Sequence, residues 1–350
     1  MAIMLRTKLF AAVLLFLSPV LFAGCITKGK PVADRTPELV SFKKIWDAGA
    51  HNAFTDLIRF DNQWFCTFRE SEGHVLGNGK IRVITSKDGE QWKSAALLAE
   101  EGVDLRDPKL SLTPGHRLML TLGGTVHDSA KIIERQPRVA FSNDGFAWSN
   151  PERVLDKGDW LWRTTWHDGH AYGTVYNAQV KNYDYAGPAE WSARLVESED
   201  GVHFRTAANF NIPGRPNEAT ARFLKNGDCV VLIRREAGDK QAWIGISHAP
   251  YKDWHWNPVG LFIGGPNFIV LDDDSMIASG RDVSPGKSGA RTFVGKMDLK
   301  SVTPELDLPA PGEWDCSYPG LVWHDGLLWV SYYSSHEGKT SIYLAKIRFR

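Results

Sequence analysis

The 350-residue chain lacks an excess of charge of either sign, since 41 lysines and arginines balance 41 aspartates and glutamates. This excludes a protein that holds nucleic acid or an anionic membrane surface by its net field, and any recognition of anions has to be local. Cysteine is scarce, with four residues. Cys25 belongs to an N-terminal segment of its own, and Cys66, Cys229 and Cys316 are an odd number that fits no disulfide framework. Trp64-Phe65 and Val230-Val231 flank two of them, which reads as buried strand, so these thiols are expected to be small apolar core residues. No Cys/His spacing matches a structural zinc site, and no motif for a nucleotide, a flavin or a catalytic metal is present; no cofactor and no metal is expected. Helical periodicity is missing as well. Leu9 to Phe22 is apolar almost throughout, but it is too short and too abruptly ended to cross a membrane as a helix.

What is there begins with that run. Arg6 and Lys8 precede it, which makes an export signal, and it stops at Leu21-Phe22-Ala23-Gly24-Cys25, a sequence that resembles the lipobox of bacterial lipoproteins. The organisation expected is a signal peptide over 1–24, a lipidated Cys25 with a polar tether containing two prolines over 25–38, and a folded domain over 39–350. The protein is then exported and sits on the periplasmic or cell-surface face of a bacterial membrane, held through the lipid anchor alone. With 43% hydrophobic and 23% charged residues, the remainder can bury a large core.

Two internal repeats fix the architecture. Ser86-Lys87-Asp88-Gly89-Glu90-Gln91-Trp92, Ser142-Asn143-Asp144-Gly145-Phe146-Ala147-Trp148 and Ser198-Glu199-Asp200-Gly201-Val202-His203-Phe204 share the pattern S-x-D-G-x-x-aromatic at one constant interval. This is tight-turn chemistry: Asp and Gly tolerate a left-handed backbone, the Ser and Asp side chains bond nearby amides, and the aromatic packs beneath. Each instance follows an apolar strand, as in Ile81-Arg82-Val83-Ile84.

The second repeat is strand, polar turn, strand, with turn centres near 62, 115, 169, 227, 273 and 326. Six hairpins at this spacing imply an all-β, six-bladed propeller of four-stranded antiparallel blades, whose known repeats run about 40 to 50 residues. The last blade, ending on Ser341 to Phe349, is one strand short; Leu39 to Trp46 alternates as a strand and is expected to pair there and close the ring.

In such a ring the start of each blade's first strand and the end of its second share one face. That face gathers His51, Arg106-Asp107, Arg163, Asn217-Glu218, Asn267 and Ser317-Tyr318 with Arg69-Glu70, Tyr176, Arg234-Arg235, Arg281 and Ser334 to His336. Cations converging near a low-dielectric core require carboxylate partners or an anionic ligand. Arg69, Arg234 and Arg281 are expected at the same second-strand position, where their forks could grip one carboxylate.

On these residues the stretch from 40 to 350 resembles the sialidase superfamily, six-bladed propellers with such Asp-box turns. Asn217-Glu218, then Asn226-Gly227, then Arg234 is similar to the segment bearing that family's glutamate and second arginine; Arg281 resembles its third, and Ser317-Tyr318 before Asp325-Gly326 its nucleophilic tyrosine. The resemblance implies that Tyr318 attacks, Glu218 takes its proton, and Arg69, Arg234 and Arg281 hold a carboxylate; Arg106, Arg163 and Tyr176 join them as expected binding residues by their place on the same face. The family's Arg-Ile-Pro motif has no counterpart in Asn52 to Leu57, where Arg69 would compensate. For the acid/base the chain offers Asp107, Glu70, Glu72, His74 and His51.

Three readings follow, all with an acidic glycan as partner. The first is an exo-acting hydrolase of terminal acidic sugars. The second is a lyase that neutralises a uronate with arginines and moves protons through a Tyr/His pair. The third is a silent lectin that stacks sugars on Trp162, Trp166 and Tyr176.

Overall fold

The computed structural model describes residues 31–75, 77–129, 131–178, 191–283, 289–312 and 314–350. The expected signal peptide and Cys25 lie outside them.

Asp61-Asn62, Asp168-Gly169 and Asp325-Gly326 have left-handed backbones at both positions, with φ of 45° and 59°, 46° and 82°, 50° and 72°. Two-residue turns of this hand match the twist of paired strands. They join His51–Phe60 to Gln63–Ser71, Asp159–His167 to His170–Asn177, and Cys316–His324 to Leu327–Ser334. Three more hairpins, led by Asp104–Leu112, Pro216–Phe223 and Gly264–Val270, complete six four-stranded antiparallel sheets, five of them in sequence order from the inner strand outward.

The sixth sheet takes its outer strand, Pro37–Trp46, from the other end of the chain, paired with Ser341–Phe349. Closure protects what would otherwise be an open edge. Thr36 and Arg350 exchange backbone hydrogen bonds of 2.8 and 3.0 Å, and the Val32 amide donates to Asp273 Oδ2 at 3.0 Å. Residues 32–38 are therefore docked on the domain, which corrects the tether expected to run to residue 38: once an end strand must pair, the residues leading into it are held too.

The S-x-D-G turns join third to fourth strands. In the first, Ser86 Oγ accepts from the Gly89 amide at 2.8 Å, Asp88 Oδ1 accepts from the amides of Glu90 and Gln91, and Trp92 Nε1 donates to Gly89 O. Ser142, Asp144 and Trp148 repeat this pattern, and so do Ser198 and Asp200. These amide bonds hold the Asp88 and Asp144 carboxyls below the usual carboxylate range. Gly89 lies against the Trp329 ring of the preceding blade, where a Cβ would come within 2.3 Å, so the turn also keys one blade to the next. The Glu70↔Lys80 and Trp64↔Ser86 register puts these turns at the end of the sheet away from the second-strand exits.

Every first strand breaks register near its start, between Ala53 and Asp56, Arg106 and Lys109, Leu161 and Arg163, Pro216 and Ala219, Gly264 and Asn267, and Ser317 and Gly320. Bulges of this kind bend a strand and re-aim its side chains. Beneath them lies a buried polar column: Arg163 grips Asp56 with both terminal nitrogens at 2.8 and 3.1 Å, and Lys109 Nζ donates to Thr55 O at 3.2 Å.

Candidate active site

The six bulges decide what the mouth of the funnel contains. They carry Phe54, Asp107, Trp162, Glu218, Gly265 and Tyr318. Phe54, Asp107, Gly265 and Tyr318 adopt φ of 65°, 50°, 58° and 51°, a region that is costly for all but glycine. Phe54, Asp107, Glu218 and Tyr318 line a cavity of about 460 Å³, together with Arg106, Arg135, Arg234, Arg281 and an aromatic wall of Trp160, Tyr176 and Trp191.

Tyr318 and Glu218 form its centre. The Tyr318 hydroxyl donates to Glu218 Oε1 at 2.6 Å, Arg234 Nη1 donates to Glu218 Oε2 at 2.7 Å, and the Gly265 amide donates to the same Oε2 at 2.8 Å. Burial works to raise the Glu218 carboxyl, but Arg234 and the two side-chain hydrogen bonds outweigh it and hold the group below its ordinary value. Burial, then Glu218, pushes the Tyr318 phenol well up. The pair is therefore a neutral phenol hydrogen-bonded to an ionised carboxylate. Arg234 also pairs with Glu236, and its Nη1 lies 3.2 Å from the Tyr318 oxygen.

Arg281 gives Nη1 to the carbonyl of Trp314 at 2.9 Å rather than to a carboxylate, and its guanidinium sits 5.5 Å from the Tyr318 ring centre. Arg106 covers the face of Phe54 at 5.2 Å. Asp107 is half-buried, and burial raises its carboxyl above the ordinary range despite Arg106 and Lys109. Lys109, where pairing resumes after the bulge that carries Asp107, stands 5.0 Å from the Trp162 ring and 6.0 Å from Tyr318; burial, with Arg163 nearby, lowers its amine to about 8.

The structure thus brings together Tyr318, Glu218, Asp107, Arg106, Arg234, Arg281 and Tyr176. It separates four other residues from the cavity wall. Arg69 is fully buried, donating Nε to Asp104 Oδ1 at 2.8 Å and Nη1 to Gly73 O, because Asp104 on the neighbouring blade neutralises it. Arg163 is consumed by Asp56. Glu72 is exposed and does not line the cavity. His51 is buried against Asp315, Nε2 to Oδ2 at 2.7 Å, instead of reaching the funnel.

The three expected arginines do not share a position either. Register makes Arg69, Arg235 and Arg281 equivalent, opposite Ala53, Pro216 and Gly264. Arg235 turns away to Pro213 O and Asp239, so its neighbour Arg234, on the opposite side of the strand, faces the site. Trp162 is buried beneath Tyr318, and Trp166 packs in a core cluster with Met119; neither lines the funnel.

Sequence reasoning missed Arg135, Trp160, Trp191, Trp314 and Asp315. Arg135 lies 4.7 Å from the Trp160 ring centre and 5.1 Å from that of Tyr176. It comes from a third strand, outside the first-strand starts and second-strand exits from which the face was read. Asp315 stands one residue before the last inner strand and was legible by the same rule that found Tyr318.

The sequence matches no protein-family profile and no curated protein. Among solved structures, the chain resembles a protein of unknown function from Dyadobacter fermentans at TM-score 0.77 and 18% identity, covering 90% of this chain and 100% of that one. It also resembles a mutant α-L-arabinofuranosidase of Fusarium graminearum bound to an iminosugar inhibitor, at TM-score 0.68 and 14% identity, covering 89% and 98%. Trypanosoma rangeli sialidase in complex with the inhibitor DANA matches at TM-score 0.67 and 12% identity over 89% of this chain and 59% of that one. At these identities the likeness is one of fold, the six-bladed propeller that sialidases share.

Proposed function

We propose that the chain is an exported glycoside hydrolase that removes a terminal acidic sugar from an extracellular glycan, anchored through Cys25 outside the cell. The observation that carries this reading is the 2.6 Å hydrogen bond from the Tyr318 hydroxyl to the ionised Glu218 within an arginine-lined cavity. An anionic nucleophile would be repelled by a carboxylate on the anomeric carbon, whereas a neutral phenol is not. Tyr318 Oη attacks that carbon as its proton passes to Glu218 Oε1, the glycosidic C–O bond breaks, and Asp107 gives its proton to the departing oxygen. Water, deprotonated by Asp107, then displaces Tyr318, which recovers its proton from Glu218. Arg281, Arg234 and Arg106 hold the carboxylate.

Three features support these roles: Asp107 is the carboxyl of the cavity raised by burial, Glu218 is the one held down, and Arg281 spends its hydrogen bond on a carbonyl. The test is incubation of the purified protein with fluorogenic sialosides and a panel of acidic oligosaccharides, alongside Tyr318→Phe. Sugar release that disappears in the variant supports the reading. Products with an unsaturated, ultraviolet-absorbing ring would replace it with a lyase, and binding without turnover would replace it with a lectin.

A further inference from the structure

Beside the cavity, three chain segments bring two imidazoles and a carboxylate onto one point. His51 opens the first inner strand, His74 lies in the loop after Gln63–Ser71, and Asp315 precedes Cys316–His324. His51 Nε2 is 2.7 Å from Asp315 Oδ2, His74 Nδ1 is 2.8 Å from Oδ1, and all the potential ligand atoms fall within 4.8 Å of one another. Among the described residues this is the single group of three or more such side chains. We infer that His51, His74 and Asp315 form a binding site for a divalent transition-metal cation, Zn²⁺ being the type, at the rim of the funnel.

The donor set is that of a borderline metal: two imidazole nitrogens and one carboxylate oxygen suit Zn²⁺, Fe²⁺ or Ni²⁺ rather than Ca²⁺ or Mg²⁺, which favour all-oxygen shells. Its charge also fits, because two neutral imidazoles and one carboxylate offer a dication a single negative charge. Each imidazole can turn a lone pair inward by carrying its proton on the other ring nitrogen. Ligands about 2.0–2.1 Å from one ion stand roughly 3.0–3.4 Å apart, so the two His–Asp spacings need to widen by only a few tenths of an ångström, while the two imidazole nitrogens start within 4.8 Å of each other.

The site is built. Asn52, next to His51, donates Nδ2 to Gly49 O and Thr340 O, both at 2.9 Å. Arg106 donates to the carbonyl of His74 at 3.1 Å, and Arg281 to that of Trp314, next to Asp315. The cavity arginines thus brace the segments that bear the donors instead of occupying the donor atoms. Phe54 and Trp314 wall the cluster with rings centred 5.2 and 4.7 Å from that of His74, which lowers the local dielectric and strengthens the electrostatic binding of a cation. His74 lines the cavity. An ion held by three protein donors keeps open positions, and this one would present them to a ligand in the funnel.

The experiment uses the purified full-length chain, stripped with a chelator and titrated with Zn²⁺ in a calorimeter and with Co²⁺ by visible absorption. One equivalent should bind, with the visible bands of nitrogen- and oxygen-ligated Co²⁺. His51→Ala, His74→Ala and Asp315→Asn should each weaken binding at least tenfold. His203→Ala, which removes the exposed partner of Asp200, should leave it unchanged. Should buried His51 prove essential for folding, half-exposed His74 carries the test alone. No saturable binding, or binding indifferent to His74 and Asp315, overturns the inference. Metal binding is read without substrate, so this inference and the hydrolase reading stand or fall separately.

Discussion

Gly265 and Tyr318 share a space that admits no side chain at position 265. A Cβ built there would lie 2.8 Å from the Tyr318 ring at Cγ and 3.1 Å from its Cα, and the φ of Gly265 is 58°. The same residue gives its amide to Glu218. One glycine in the fifth blade therefore sets the position of a tyrosine from the sixth and a glutamate from the fourth.

Gly265→Ala should separate those two groups. The clash is with backbone as well as ring, so Tyr318 cannot escape by a rotamer change alone, and the left-handed φ adds strain. We expect about 1–3 kcal/mol of lost stability by denaturant titration, with the fold retained. Turnover of whichever acidic glycoside proves to be the substrate should fall at least a hundredfold. Near-normal turnover would show that the Tyr318–Glu218 contact is not what the reaction uses.

Arg69 and Arg281, equivalent in register, should fail in different ways. Arg69→Met takes from buried Asp104 its closest counter-charge, leaving it the Gly79 amide and Arg106 at 3.6 Å, which costs up to about 3–5 kcal/mol and lowers the melting temperature without selectively harming acidic ligands. Arg281→Lys keeps the charge but loses the planar fork, so KM for an acidic substrate should rise tenfold or more with little change in melting temperature. Measuring both quantities on both variants checks the division; an Arg69 variant that folds normally and loses affinity would reverse it.

How much of this was legible in the sequence follows from period and register. The six blades and the face that holds Tyr318, Glu218, Asp107 and Arg281 come from turn chemistry repeated at a nearly regular interval, and the ring closure from a strand pattern before residue 46 matching a blade one strand short; these are local signals. Partner choice is not local. Arg69 and Arg281 read alike along the chain, and only the neighbouring blade decides that one meets Asp104 and the other the Trp314 carbonyl. The bulges were illegible for the same reason: an extra residue or two in a strand shows only against its partner, so Trp162 was read as lining the funnel when the break beside it buries the ring. His51 was read as a funnel residue because Asp315, 264 positions away, could not be placed beside it.

The pH profile of turnover should be a bell whose limbs belong to two named carboxyls. Glu218 must be ionised, and its pKa lies below the ordinary value, so the acid limb should fall only at unusually low pH. Asp107 must be protonated to donate, and its pKa is raised, so activity should decline as pH climbs through that raised value. Asp107→Asn should abolish the basic limb of kcat/KM along with most of the activity, and a substrate whose leaving group needs no proton should recover much of the rate. A basic limb that survives in Asp107→Asn would assign it to another group.

Lys109 makes the last prediction, and it concerns stability. Its amine is lowered from 10.5 to about 8 by burial and by Arg163, so between those values the unfolded chain binds the proton that the folded chain has released. Stability from this group therefore rises as pH climbs from about 8 towards 10.5, and below 8 the folded protein carries the full cost of a buried cation. That cost is not offset by exclusive pairing, because Asp56 already holds Arg163 bidentately and accepts the Leu110 amide at 2.7 Å. Lys109→Met, close in length and volume, should be neutral or stabilising by about 1–3 kcal/mol at pH 7, and its stability should lose the rise above pH 8. Denaturant melts of both proteins from pH 6 to 10 decide the matter: curves that stay parallel would mean that Lys109 titrates as an ordinary lysine, and a strongly destabilised variant would mean that the ammonium is a needed counter-charge in the column beneath Tyr318.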